Sequence, residues 1–221
     1  MISGELFELI YQTGYYFTIF CLLTGIALYR HQPRLTRIIL LYLLLSITSD
    51  FLAKYLVRWF QLSTNYHIIN LWTLVEYITI SYFFFQVEEL RKYKTLQILA
   101  FVGFIGSYLI GFLFFISIYE LTNFYKFFES LIFCIQSIVL YYRFTLNLDT
   151  ELTRTPMFWQ NTGLFIFFTG TLLIFLMIDF LFADNFAFLN IGFVIHNLLT
   201  IIKTLCFLIA IYVNYRIKPQ R

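Results

Sequence analysis

Five ionisable side chains stand inside stretches of sequence that are otherwise apolar. His196 and Lys203 lie in IHNLLTIIKTLCFLIAIY (residues 195–212), Glu76 in NLWTLVEYITIS, Glu129 in YKFFESLIFCIQS and Asp50 in LSITSDFLAKYLVR. In a bilayer interior each such charge costs about 2.5–3.5 kcal/mol on insertion scales, so these groups pair with one another or line a polar cavity. Carboxylates, an imidazole and an ammonium in one place can bind a polar ligand, relay protons, or fix helix register.

Spacing indicates which way they face. His196, Thr200 and Lys203 follow i, i+4, i+7, with Asn197 and Thr204 on the adjoining line. Asn70, Thr73 and Glu76 run i, i+3, i+6, and Tyr125, Glu129 and Gln136 run i, i+4, i+11. Three segments thus each carry one narrow polar line, and the economical arrangement turns those lines toward a common centre. Depth along the segments suggests two acid–base pairs, Glu76 with Lys203 and Glu129 with His196. Asp50 is different: Lys54 lies four residues on, at the spacing of a local helical ion pair.

The elements that must position these residues are membrane spans. Of 221 residues, 61% are hydrophobic and only 12% charged, about half the charge of a soluble domain. Apolar runs recur at about 7–29, 35–58, 66–86, 95–117, 121–146, 157–182 and 190–215. Each is long enough to cross a hydrocarbon core of ~30 Å as a helix. The chain therefore reads as all-α, a single polytopic bundle of seven transmembrane helices over residues 1–221. Pro33, Pro156 and Pro219 fall between spans, at a first turn, or in the tail, and none interrupts a span.

Charge in the breaks predicts the orientation. With the N-terminus outside, the inner segments hold eleven Lys and Arg, and the outer ones hold three, Lys54, Arg58 and Lys126. That asymmetry over short loops predicts N-out, C-in. No basic n-region precedes the first apolar run, since the first Lys or Arg is Arg30, so that run is expected to remain as a helix. Cys21, Cys134 and Cys206 lie in three different spans and read as small buried hydrophobes. Gly163 and Gly170, seven apart, are expected at a close helix contact, and Gly103, Gly106 and Gly111 similarly.

Several classes are disfavoured. The basic residues form no patch with interleaved aromatics, so nucleic acid is not an expected partner. Neither a Gly-x-Ser-x-Gly nor a His-Glu-x-x-His motif occurs, no metal or cofactor is expected, and the chain does not read as an enzyme. A metal site would have to recruit Glu76 and Glu129 beside His196. The breaks are too short to hold a separate domain, so any binding occurs in the bundle or at its rims.

Four segments, NLWTLVEYITIS, FFESLIFCIQSIVLYYRF, PMFWQNTGLFIFFTGTLLIFLMID and the lysine-bearing 195–212, resemble an uncharacterised family of small bacterial seven-helix membrane proteins. The resemblance rests on Asn70, Glu76, Glu129, Ser130, Phe158, Trp159, Gly163, Gly170, His196 and Lys203, and Thr204 stands where the family often has Asn. It implies location in the bacterial inner membrane and, through members encoded beside sensor histidine kinases, a signalling role with a membrane sensor kinase or other membrane protein as partner. Seven spans with a lysine midway along the last are also similar in outline to microbial rhodopsins. Those carry Asp four residues before the lysine, where Leu199 stands here.

The expected function is a sensory or regulatory subunit binding a small polar ligand in an outward-facing cavity. Its site or buried polar network is expected to comprise Asn70, Glu76, Glu129, Gln136, His196, Asn197, Thr200 and Lys203. A proton-coupled transporter, a purely structural partner subunit and a retinal photoreceptor are the alternatives.

Overall fold

A computed structural model describes residues 4–59, 65–114, 123–146, 151–181 and 186–216. The breaks QLSTN, YELTN and FADNFA fall largely or wholly outside these residues. Among the described residues seven long helices make up the fold: α1 (Gly4–Ala27), α2 (Arg34–Trp59), α3 (Tyr66–Gln86), α4 (Lys94–Phe114), α5 (Asn123–Leu146), α6 (Pro156–Leu181) and α7 (Phe186–Arg216). Short 3₁₀ turns precede α2, α4 and α6, at Tyr29–His31, Glu88–Tyr93 and Leu152–Arg154. All seven helices are long and apolar enough to cross a membrane, and there is no strand among the described residues. The expected spans agree with these limits to within a few residues, because apolar length is the strongest signal such a sequence carries.

Neighbours in sequence are neighbours in space. α1 packs on α2, α2 on α3, α5 on α6 and α6 on α7; α7 closes the ring against α1. α3 is the most enclosed helix, with α4 and α5 against it. Its buried face carries Asn70, Thr73, Glu76, Tyr77, Ile80 and Phe84. Large apolar side chains point outward in quantity: Leu96, Leu99 and Leu113 are each more than 60% exposed. An apolar exterior around polar interior positions is the distribution lipid selects, since apolar surface facing acyl chains costs nothing.

Interior hydrogen bonds join helices where side chains would otherwise strand a polar atom. Thr36 Oγ1 of α2 accepts from Gln160 Nε2 of α6 at 2.6 Å and from Asn214 Nδ2 of α7 at 2.8 Å. Asn161 of α6 donates to the Ser137 carbonyl of α5 at 3.1 Å, and Tyr141 donates to Thr162 Oγ1 at 2.7 Å. These groups are buried or half-buried between helices, so each bond satisfies a group with few other partners. Cys21, Cys134 and Cys206 are buried free thiols, in line with their expected role.

The glycines divide into two groups. A Cβ on Gly163 would lie 3.0 Å from both the Lys203 carbonyl oxygen and Cys206 Cβ, so α6 and α7 approach almost backbone to backbone there. A Cβ on Gly170 would meet Leu199 Cδ1 at 2.3 Å. Gly103 and Gly106 are a correction to the expectation: nothing lies within 4 Å of an added Cβ at either. The part of α4 that carries them is not pressed against a neighbour. Gly163→Ala should therefore lower unfolding free energy by about 1–3 kcal/mol, as overpacking does. Gly103→Ala should change it by less than about 0.5 kcal/mol or raise it slightly, both read by titration from mild detergent into dodecyl sulfate.

Candidate functional site

The buried face of α5 reads Tyr125, Lys126, Glu129, Ser130, Phe133, Cys134, Ser137, Leu140 and Phe144, a helical stripe with a cation in its first turn. Lys126 lies at the first turn of α5, yet its side chain runs into the bundle. Its ammonium bonds Glu76 Oε2 of α3 and, at 2.8 Å, Glu129 Oε2 of its own helix. Glu76 and Glu129 are at most 1% exposed and Lys126 is 7% exposed, so solvent screens this interaction little. The ammonium is clamped between two carboxylates.

Two positives are needed to balance two negatives, and Lys203 is the second. Its Nζ donates to the Tyr42 hydroxyl at 2.5 Å, and that hydroxyl donates to Glu76 Oε1 at 2.7 Å. Tyr42, on α2, is fully buried and packs beside Trp72 and Phe207, with ring centroids 5.8 and 6.3 Å away. The Lys203 ammonium also sits 3.5 Å from the Phe167 ring centroid, where the negative face of the ring attracts it. The result is one hydrogen-bonded chain, Lys203–Tyr42–Glu76–Lys126–Glu129, that ties α7, α2, α3 and α5 together. With all four ionisable ends charged, it is neutral.

The expected site residues divide accordingly. Glu76, Glu129 and Lys203 come together in one network, although Glu76 and Lys203 meet through Tyr42 and not directly. Asn70 is buried one and a half turns before Glu76, and its carbonyl accepts from Tyr108 Oη at 2.7 Å. His196 does not reach Glu129. Its half-buried ring lies 5.2 Å from the Phe167 ring, and its Nδ1 is enclosed without a hydrogen-bond partner. Lys126 holds Glu129 instead, being three residues before it on the same face. Thr200 turns its hydroxyl back to the His196 carbonyl at 3.1 Å. Asn197 is half-buried, as is Gln136, whose Oε1 has no partner; none of these four joins the network.

Asp50 and Lys54 form no ion pair; Lys54 is exposed and Asp50 half-buried. The Lys54 side chain turns outward at the rim, so the four-residue spacing does not bring its ammonium to the carboxylate. Both residues instead border a cavity of about 190 Å³ between α1 and α2. Its wall is unusually rich in tyrosine, with Tyr11, Tyr15 and Tyr16 from α1 and Tyr55 from α2.

Two members of the network are not legible in the sequence. Lys126 was counted among the loop cations because it opens its span, but its i, i+3 relation to Glu129 puts both on one face. Tyr42 is one of 17 tyrosines and carries no charge pattern, so nothing in its own segment distinguishes it.

The fold and the network define the class: an all-helical seven-helix bundle of membrane-spanning dimensions with a compensated charge cluster at its core. No protein-family model, curated protein or solved structure matches the chain.

Breaking a buried pair by removing one member leaves its partner's charge uncompensated, at a typical cost of about 3–5 kcal/mol. Lys126→Met should accordingly lose about that much unfolding free energy. Adding Glu129→Gln in the same chain should recover a substantial part, because one orphaned carboxylate is then neutral. A loss under about 0.5 kcal/mol for Lys126→Met in the dodecyl sulfate titration would contradict the clamp.

Proposed function

We propose that the chain is a sensory or regulatory subunit of a bacterial cytoplasmic membrane, which binds a small polar ligand from the outer side and signals through a membrane partner. The observation that carries this reading is the position of α2. Its one end borders the α1–α2 cavity through Asp50, and Tyr42, two turns further along, is the middle link of the charged chain. The two residues are eight apart, about 12 Å along a helix. A ligand that displaces α2 at Asp50 moves Tyr42 relative to Glu76 and Lys203, and a network of directional bonds responds to such a shift in steps.

The ligand site differs from the one first expected. Glu76 and Glu129 are already bonded to Lys126 and Tyr42, so they serve as the part that responds, while the α1–α2 cavity receives the ligand. The orientation is N-out, C-in. Once Lys126 is assigned to the interior, only Lys54 and Arg58 remain in the outer segments, against eleven cations inside, which sharpens the charge asymmetry. The resemblance to small seven-helix proteins encoded beside sensor kinases supports the same role. Contact with a partner falls to the inner turns, where Arg154 and Glu151 form an exposed ion pair at 2.6 Å and Glu88 precedes the buried Leu90.

A second reading, a proton-coupled carrier, draws on the unbroken hydrogen-bonded chain from Lys203 to Glu129. Proton movement along that chain would need Tyr42 as its relay. The two readings separate in one preparation. Purified full-length protein in nanodiscs should gain thermal stability with one class in a panel of small cations, anions and zwitterions, as a ligand that favours the folded state requires. Reconstituted in liposomes with an internal pH dye, it should show no proton flux above that of empty liposomes. No stabilising class, with the protein folded, overturns the sensory reading; proton flux abolished by Tyr42→Phe establishes the carrier in its place.

A further inference from the structure

The cavity between α1 and α2 is lined by aromatic side chains and one carboxylate. Tyr11, Tyr15, Tyr16, Phe51 and Tyr55 line it together with Asp50, with Tyr16, Phe51 and Tyr55 also open to the exterior. Tyr15 and Tyr16 stand edge to face at 5.8 Å, and Phe51 and Tyr55 lie 4.3 Å apart. At about 190 Å³ the space is well above the roughly 10–15 Å³ that one water requires. Gln12 also borders it, but its amide donates to Glu8 at 2.7 Å on the same helix.

Asp50 has neither an ion pair nor a side-chain hydrogen bond among the described residues, although it is half-buried within a span. Lys54, exposed at the rim, is the other charged residue lining the cavity; the Lys203 ammonium acts on Asp50 from the bundle interior but forms no ion pair with it. An unpaired carboxylate at that depth is expensive unless a cation meets it. Several aromatic rings around one carboxylate are the surroundings that recognise an alkylated ammonium, whose spread charge is attracted to ring faces and whose methyl groups are easily desolvated.

We propose that this cavity binds an alkylammonium cation, with Asp50 as the counter-charge and the tyrosine rings as the surface that holds its alkyl groups. The assignment names the ligand class for the sensory reading and rests on it. Two sources share this chemistry. Asp50 and Tyr55 lie nine and four residues before the end of α2 at Trp59, about 6–14 Å along the helix, a depth that a lipid headgroup can reach. A free amine from the outer side can reach it equally.

Tetramethylammonium is the probe. Calorimetric titration into the full chain, held in nanodiscs of phosphatidylglycerol alone, should give saturable heat beyond that of empty nanodiscs. Asp50→Asn should weaken it at least about tenfold, and Tyr55→Leu should weaken it severalfold, while Lys54→Ala should leave it unchanged or tighter. Nanodiscs of phosphatidylcholine distinguish the sources. Apparent affinity that falls there identifies the headgroup as occupant, and affinity that is unchanged identifies a free solute; either supports the proposal. No saturable heat from protein that still unfolds cooperatively overturns it. So does acetate binding that Lys54→Ala abolishes and Asp50→Asn does not. If tetramethylammonium fails while another class in the panel stabilises the protein, the alkylammonium assignment falls and the sensory reading stands.

Discussion

The bundle depends on an ammonium held between two carboxylates in a place where none of the three has solvent to fall back on. Lys126 meets Glu76 and Glu129 at once, and without it two buried negative charges would face each other across α3 and α5. A single Lys–Glu–Glu triad is still one negative charge in excess. Lys203 supplies the missing positive charge through Tyr42, so the cluster is balanced only when four helices contribute. Electrostatic neutrality thus acts as a constraint on helix arrangement: α2, α3, α5 and α7 must all be in place for any of the charges to be tolerated.

Such a cluster adds specificity more than strength. Apolar side chains packed in its place could give a bundle at least as stable, since desolvation offsets much of the attraction between buried charges. What charges provide is a fixed register and a small number of discrete arrangements, because each bond is either made or lost. Tyr42 is the link on which the proposed sensory response turns. Its hydroxyl accepts from Lys203 and donates to Glu76, and it belongs to the helix whose far end borders the tyrosine-lined cavity. The close approach of α6 and α7 at Gly163 leaves that side of the bundle little freedom to move.

Much of this was legible in the sequence, for identifiable reasons. The spans follow from uninterrupted apolar length, a signal that tertiary contacts cannot override in lipid. Glu76, Glu129 and Lys203 were singled out because an ionisable residue in such a stretch must find a partner. Their partners were harder to read. Depth along a helix matches Glu76 with Lys203 but does not reveal a phenol between them, and it matches Glu129 with His196 because Lys126, at the head of its span, reads as a loop cation. A lysine side chain is long enough to start near a helix end and finish several ångströms deeper. Asp50 shows the same thing: its spacing from Lys54 is that of an ion pair, but spacing does not fix where a long side chain ends, and the lysine turns outward.

The central claim is that Lys203 is stabilised through Tyr42 by Glu76, and a double-mutant cycle between Tyr42→Phe and Lys203→Met addresses it most directly. Unfolding free energies of the four full-length chains, measured by dodecyl sulfate titration in the same lipid–detergent mixture, give the coupling. A bridged pair predicts strong non-additivity, with the double variant more stable than the sum of the single losses by about 1 kcal/mol or more. Losses that add to within about 0.3–0.5 kcal/mol would mean that the two side chains are energetically independent, and the compensated network would not exist as described.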